Sequence, residues 1–320
     1  AIAAVLSIVP FFFTGAFLAA IFQAYPENSR RLYGFDLIGA AVGSLSTLLL
    51  LRLGTLNVQI FVALALSVAA LSIYPRTASK RKNIAIVGYA TALAVLLVAN
   101  SASSFLGRVP FAEVADKQLT TLLQNETLGA EIRESRWSAF GRTDFVASSD
   151  VYGIGIFYID GTSGTRMYQF DGDFYSLMNT DFSLFPAHLP LALAARKRLD
   201  SVLTIGPGGG RDVLAALMHG AIDITAVEVN RDLVSMMREY ADVNGGIYNG
   251  IPWVDVKTVE GRNYVKTIGD QEFDSILLAM PVIQSSRSIE GFALTENYLL
   301  TTEAMDEYYD LLAPDGQLII

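Results

Sequence analysis

Two carboxylates and a run of glycines are the residues of this chain whose types and spacing best suit chemistry. Gly206-Pro207-Gly208-Gly209-Gly210 breaks the apolar run Val202-Leu203-Thr204-Ile205, and a helix-like stretch, Asp212 to Met218, follows. A second apolar run, Ile222-Asp223-Ile224-Thr225-Ala226-Val227, ends on Glu228, 22 residues after Gly206. Glycine reaches positive φ at low steric cost and lets a ligand approach the backbone. An acid at the tip of the second strand can accept both hydroxyls of a ribose. Strand, glycine turn, helix, strand and acid is the order in which a parallel α/β sheet holds a nucleoside. The turn by itself also fits a unit that only packs, with Glu228 a solvated strand end. Gly206-x-Gly208-x-Gly210 lacks the Gly-x-Gly-x-x-Gly spacing, because Arg211 takes the last place, which argues against a dinucleotide dehydrogenase.

The elements around this unit continue the same pattern. A helix is expected around Pro186–Arg196, before the glycine turn, and another over 231–243. Val254-Asp255-Val256-Lys257-Thr258-Val259 predicts a third strand, ending at Glu260-Gly261-Arg262. Asp274–Leu278 predicts a fourth strand, 296–312 a helix, and Gly316-Gln317 the start of a fifth strand. Alternating strands and helices imply a parallel sheet with right-handed crossovers. Upstream, 112–131 reads as a polar helix or linker. Residues 132–170 alternate as strands, with turn signals at Ser148-Ser149-Asp150 and Asp160-Gly161-Thr162-Ser163-Gly164. That is a small antiparallel sheet.

The chain has 320 residues, 52% of them hydrophobic, and a mean hydropathy of +0.39. The excess is uneven. Residues 1–110 carry eight basic and two acidic residues (Glu27 and Asp36), a net of +6, whereas 111–320 carry 15 basic and 30 acidic, a net of −15. Such a break implies two physically different regions. The absence of cysteine excludes disulfides and thiolate metal sites. The two histidines, His188 and His219, have no second His or Cys near them in sequence, so no metal is expected. Acidity argues against nonspecific nucleic-acid binding and suits a cationic partner such as a polyamine.

Four apolar stretches, about 2–24, 35–53, 57–74 and 84–100, each approach the ~20 residues that cross a bilayer as a helix. Asp36 is expected at the interface beside Arg30 and Arg31, and Gly39 with Gly43 is expected to pack within the bundle. The expected domains are 1–105 transmembrane, 106–175 linker and small sheet, and 176–320 Rossmann-like. Both ends of the chain are expected to be truncated. A bacterial inner membrane with the soluble domain on its cytoplasmic side is expected. The basic loops around Arg30-Arg31 and around Arg76, Lys80, Arg81 and Lys82 conflict with that side, because the fourth stretch would then run outward.

From about 135 onward the chain resembles the spermidine synthase (polyamine aminopropyltransferase) family in its multi-pass membrane variety. The matching stretches are Arg136–Phe145, Val202–Gly210, Ala226–Asn230, Glu260-Gly261-Arg262, Phe273–Ile276 and Ala293–Tyr298. In the membrane half only Tyr33-Gly34-Phe35-Asp36, with Gly39 and Gly43, fits. The resemblance implies a small N-terminal sheet followed by a fold of the S-adenosylmethionine-methyltransferase type. It also implies S-adenosylmethionine, or its decarboxylated form, as co-substrate. Glu228 would hold the ribose and Glu260, followed by Gly261, the adenine amino group. Gly206, Gly208 and Gly210 would line the thioether side, and Gln169 would lie over the site.

Three departures bear on the acceptor. Where the family's fourth strand usually ends in an Asp that orients the attacking amine and takes its proton, this chain has Ala279. Gly209 and Leu184 stand where the family has Asp and Glu. An amine must be neutral to attack a sulfonium carbon, so a missing base matters. Asp171, Asp173, Glu290 and Glu296 are the candidate substitutes. The reading is a membrane-anchored transferase acting on a small-molecule amine or other nucleophile, with a homodimer through the β-sheet region. The alternatives are a methyltransferase, or a non-catalytic nucleoside- or polyamine-sensing or transport-coupled membrane protein.

Overall fold

The computed structural model describes residues 2–73, 80–103, 106, 117–138, 140–147, 155–178, 185, 187–197, 199–278 and 298–320. The chain divides into two compact units, Ala1–Leu106 and Gly107–Ile320.

The first unit is helical: α1 (Ile2–Ala24), α2 (Ser29–Leu50), α3 (Thr55–Ile73) and α4 (Lys80–Ser103). The four expected apolar stretches fall on these helices. Among the described residues, Thr55–Ser72 and Asn83–Ser103 are each long and apolar enough to cross a membrane. Ile8–Ala24 and Pro26–Thr47 pass the same criterion as a pair, bent by 102°. A single 3₁₀ turn, Pro26–Asn28, makes the bend. The charges Arg30, Arg31 and Asp36 at the start of α2 shorten its apolar run. Gly39 and Gly43 are expected inside a bundle, but a Cβ at either would meet no atom within 4 Å. Helices α3 and α4 pair through opposite ends, where the buried Asn100 Nδ2 donates to Asn57 Oδ1 at 2.7 Å.

The second unit begins with the short helix α5 (Gln118–Gln124) and an antiparallel sheet ordered β1-β2-β3-β4. These strands are β1 (Glu131–Ser138), β2 (Gly141–Ala147), β3 (Gly155–Ile159) and β4 (Thr162–Met167). The expected turn over 160–164 is tighter than its composition suggests. Asp160 and Gly161 alone take positive φ, +50° and +77°, the conformation of a two-residue hairpin loop, so Thr162 already belongs to β4. Ser148-Ser149-Asp150 lies outside the described residues.

After α6 (Phe174–Met178) and α7 (His188–Ala194) comes the α/β part. Its elements are β5 (Ser201–Ile205), α8 (Arg211–Met218), β6 (Asp223–Val227), α9 (Arg231–Glu239), α10 (Ala241–Asn244), β7 (Val254–Lys257), α11 (Gly261–Thr267), β8 (Phe273–Leu278), α12 (Thr302–Asp310) and β9 (Leu312–Ile319). All pairings are parallel, in the order β7-β6-β5-β8-β9. Strand order reverses between β5 and β8, the topological switch point beside which open α/β sheets bind ligands. Both faces of the sheet are covered, as an all-parallel sheet requires. Val202 and Ile224 pack with Leu214 and Met237 on one face, where Phe145, Phe157 and Met167 of the small sheet join the same core. Leu203, Ile205 and Ile276 pack with Val265 and Tyr308 on the other.

Candidate functional site

The glycine turn lies at the carboxyl end of β5, and its backbone needs glycine. Gly206, Gly208 and Gly210 take φ of +75°, +54° and +89°, values an L side chain rarely adopts. Gly206 N donates to Val227 O at 2.8 Å, tying the start of the turn to the end of β6. Gly210 caps the N-terminus of α8.

Glu228 follows directly on β6, and its buried carboxylate is part of the turn. Gly208 N donates to Oε2 at 3.1 Å and Asn230 N donates to Oε1 at 2.9 Å. Burial pushes the Glu228 carboxyl up, and the N–H groups of Asn230, Gly208 and Val229 partly offset that. An ionised carboxylate offers about four lone-pair directions. With these backbone donors in place, the carboxylate keeps acceptor capacity for a ligand hydroxyl.

Strand β7 ends at Lys257, shorter than the expected 254–259, and Glu260, three residues beyond it, caps α11. Arg262 N donates to its Oε1 at 3.1 Å and Asn263 N to its Oε2 at 2.8 Å. Gly261 packs tightly on β5, since a Cβ there would meet Ile205 Cγ2 at 2.5 Å. Glycine turn, Glu228 and the Glu260-Gly261 pair thus surround the carboxyl ends of β5, β6 and β7.

The remaining candidates fall elsewhere. Gln169 is exposed, beside Phe170, whose N–H donates to Val243 O at 3.2 Å. Asp171 and Asp173 are exposed and bind local backbone. Asp171 Oδ1 accepts from Asp173 N and Asp173 Oδ1 from Tyr175 N, both at 2.9 Å, which fits turn and capping roles. Leu184, Ala279, Glu290 and Glu296 lie outside the described residues.

Several neighbours of the turn have no local sequence signal. Strand β4 lies against it: Gly209 N donates to Thr165 Oγ1 at 2.9 Å. A Cβ on Gly209 would overlap the carbonyl oxygen of Arg166. The space that a side chain at position 209 would need is therefore filled by β4 backbone. Buried Tyr248 donates its hydroxyl to Gly208 O at 2.6 Å. Asp212, in the first turn of α8, is 1% exposed, and its Oδ1 has no hydrogen-bond partner among the described residues. Burial pushes its carboxyl up to about 7, against a lowering by Arg211. Burial, Glu228 and Asp212 together push the Tyr248 phenol well above its ordinary value. Asn230 links the two sheets: Oδ1 accepts from Asp232 N and Leu233 N, and Nδ2 donates to Thr143 Oγ1 at 2.8 Å. An Asn directly before a helix-like run is an N-cap signal that could have found it.

No protein-family model matches the chain, and no curated protein matches it. Solved structures do. A spermidine synthase crystallised with the transition-state analogue AdoDATO is 22% identical, with a TM-score of 0.41, over 58% of this chain and 55% of that one. A spermidine synthase from Thermotoga maritima is also 22% identical, with a TM-score of 0.43 and the same coverage. A probable spermidine synthase from Corynebacterium glutamicum ATCC 13032 is 16% identical, with a TM-score of 0.40, over 59% of this chain and 62% of that one. The match thus spans little more than half the length of those chains. At such identities and scores the likeness is one of fold and assigns no residue's role.

Proposed function

We propose that this chain is a membrane-anchored, spermidine synthase-like transferase. It binds S-adenosylmethionine or its decarboxylated form as co-substrate at the glycine turn and transfers a group to a small amine or other nucleophile. The observation that carries this reading is the buried Glu228 carboxylate, held by Gly208 N and Asn230 N at the strand ends. Fixed in advance, it would accept a ribose without reorganising. Glu260, the N-cap of α11 just beyond β7, would serve the adenine amino group with lone pairs left over from the capping. Transfer from a sulfonium needs no metal, and what the protein must supply is placement of the nucleophile.

One observation favours a second reading, in which the unit binds a nucleoside or polyamine without catalysis. The backbone of Arg166 fills the space beside Gly209, and Ala279 and Leu184 replace carboxyl-bearing positions of the family that the chain resembles. Methyl transfer, which places less demand on a base, fits the same geometry.

Calorimetry on the detergent-solubilised full chain tests the reading. It compares S-adenosylmethionine, its decarboxylated form, methylthioadenosine and dinucleotides. Binding of an adenosyl sulfur compound is expected, and binding of none sinks the proposal. Binding without product from putrescine or spermidine would favour the sensor.

We also propose that the second unit faces the cytoplasm, where such co-substrates are made. The basic residues between α3 and α4 argue the other way. A reporter fused after Leu106 decides, and an extracytoplasmic signal rejects this placement.

A further inference from the structure

The two histidines of the chain stand 31 residues apart in sequence, and the packing of α7 on α8 brings their rings together. His188 is the first residue of α7 and His219 the C-cap of α8. Nε2 of His219 lies 3.3 Å from Nδ1 of His188, with ring centroids 4.7 Å apart and planes inclined by 55°. Both rings are half-buried. Helix α8 leads away from the glycine turn, so the pair lies at the far end of that helix from the proposed nucleoside site. The expectation that neither histidine has a second one nearby is thereby corrected.

The distance between the two nitrogens bears on their chemistry. It admits a hydrogen bond between the rings when one nitrogen carries a proton and the other does not. Two nitrogens each ~2.0–2.1 Å from one tetrahedral ion stand about 3.3 Å apart. We propose that His188 and His219 form a two-imidazole site for a borderline divalent transition-metal ion of the Cu(II), Ni(II) or Zn(II) class, with water completing its coordination. Imidazole favours these ions, whereas Mg(II) and Ca(II) take oxygen ligands. Among the described residues no cluster of three or more His, Asp or Glu side chains suited to a metal occurs, which leaves the other positions to solvent. The ligand form of histidine is neutral imidazole, and burial together with His188 holds His219 below its ordinary value. The carboxyl end of α8 adds a partial negative charge beside the ion. An ion held there would staple α7 to α8 and stabilise the folded unit by mass action.

The test uses the tag-free, detergent-solubilised full chain, stripped with chelator and titrated with Cu(II). Electron paramagnetic resonance of the wild-type protein is expected to show one ion per chain coupled to two imidazole nitrogens, which only this pair can supply within a chain. His188→Ala and His219→Ala are each expected to weaken binding by roughly ten-fold or more. Each should also abolish the rise in Tm that Ni(II) or Zn(II) gives the wild type. No stoichiometric binding, fewer than two coupled nitrogens, or full affinity in both variants overturns the proposal. The wild-type spectrum decides the matter even if the variants fail to fold.

Discussion

The carboxylate of Glu228 accepts a hydrogen bond from Gly208 N at 3.1 Å, across 20 residues of sequence. This bond makes the acid at the end of β6 part of the turn that follows β5. Its position is therefore set before any ligand arrives. Tyr248 binds the other side of the same glycine, through its carbonyl. Gly208 is thus held on both its polar groups, and a ligand at the turn would meet a rigid surface.

Replacing Glu228 should separate stability from binding. Glu228→Ala leaves Gly208 N and Asn230 N buried without their acceptor, at a cost of about 1–3 kcal/mol for each donor. It should also weaken nucleoside binding by about 1–3 kcal/mol through lost charge-assisted bonds. Glu228→Gln keeps one acceptor oxygen and should lose less stability than Ala while still losing affinity. Thermal denaturation and calorimetry on both variants check this. Unchanged affinity in Glu228→Ala would show that the ribose site lies elsewhere.

Asp212 should make the second unit less stable as pH rises. Its folded value is raised from 3.8 to about 7 by burial, so the folded state keeps a proton that the unfolded chain has lost. Stability is therefore greatest below about pH 4, falls through the window up to about pH 7, and is flat above it. Each tenfold change in proton affinity corresponds to about 1.4 kcal/mol, so the loss is of the order of a few kcal/mol. Glu228, also raised by burial, adds a fall of the same sign. Asp212→Asn has no charge to desolvate. It should match wild type near pH 4, exceed it near pH 8 and flatten most of the slope. Both tryptophans, Trp137 and Trp253, lie in this unit, so their fluorescence follows its unfolding alone. An Asn variant that keeps the full slope would rule out Asp212 as its source.

Placing an acid at position 209 should fail. A side chain there meets the backbone of Arg166, which cannot step aside as a flexible side chain would. Gly209→Ala should therefore lower stability by about 1–3 kcal/mol, and Gly209→Asp by more, without any gain in aminopropyl transfer. Thr165→Val keeps the shape but removes the acceptor of Gly209 N, and should cost about 1–3 kcal/mol. Denaturation midpoints of the three variants give the ranking. A stable, active Gly209→Asp protein would show that β4 moves off the turn.

How much of this is legible in the sequence depends on where the signal resides. The glycine spacing, the strand that precedes it and the acid that ends the next strand are local, and β5, α8, β6 and Glu228 follow from them. Strand β1 is not separable, because the first turn signal read after 132 is Ser148-Ser149-Asp150 and only pairing reveals that Glu131–Ser138 runs back along Gly141–Ala147. The covering of Gly209 by β4, the Tyr248–Gly208 bond and the His188–His219 pair arise from long-range packing, for which composition and period carry no signal. Length alone marks the membrane stretches. That criterion counts α1 and α2 separately and is blind to the 102° bend between them.

The polar link between α3 and α4 should couple the two helices. Asn100 Nδ2 donates to Asn57 Oδ1 at 2.7 Å, Asn57 Nδ2 donates to Leu53 O at 2.8 Å, and Asn100 Oδ1 accepts from Leu106 N at 3.0 Å. The two amides thereby satisfy each other and the backbone at one end of an apolar hairpin, where an unpaired amide finds no water. Asn100→Leu should destabilise the hairpin by about 0.6–2 kcal/mol, since it leaves Asn57 Oδ1 and Leu106 N without their partners. Once Asn57→Leu is present, the same change should cost less, because the bond between the two residues is already gone. The double-mutant cycle should return a coupling of about 0.6 kcal/mol or more. The tryptophans lie outside this unit, so far-UV circular dichroism on heating in detergent is the readout. A coupling indistinguishable from zero would mean that the Asn57–Asn100 bond contributes nothing to holding α3 against α4.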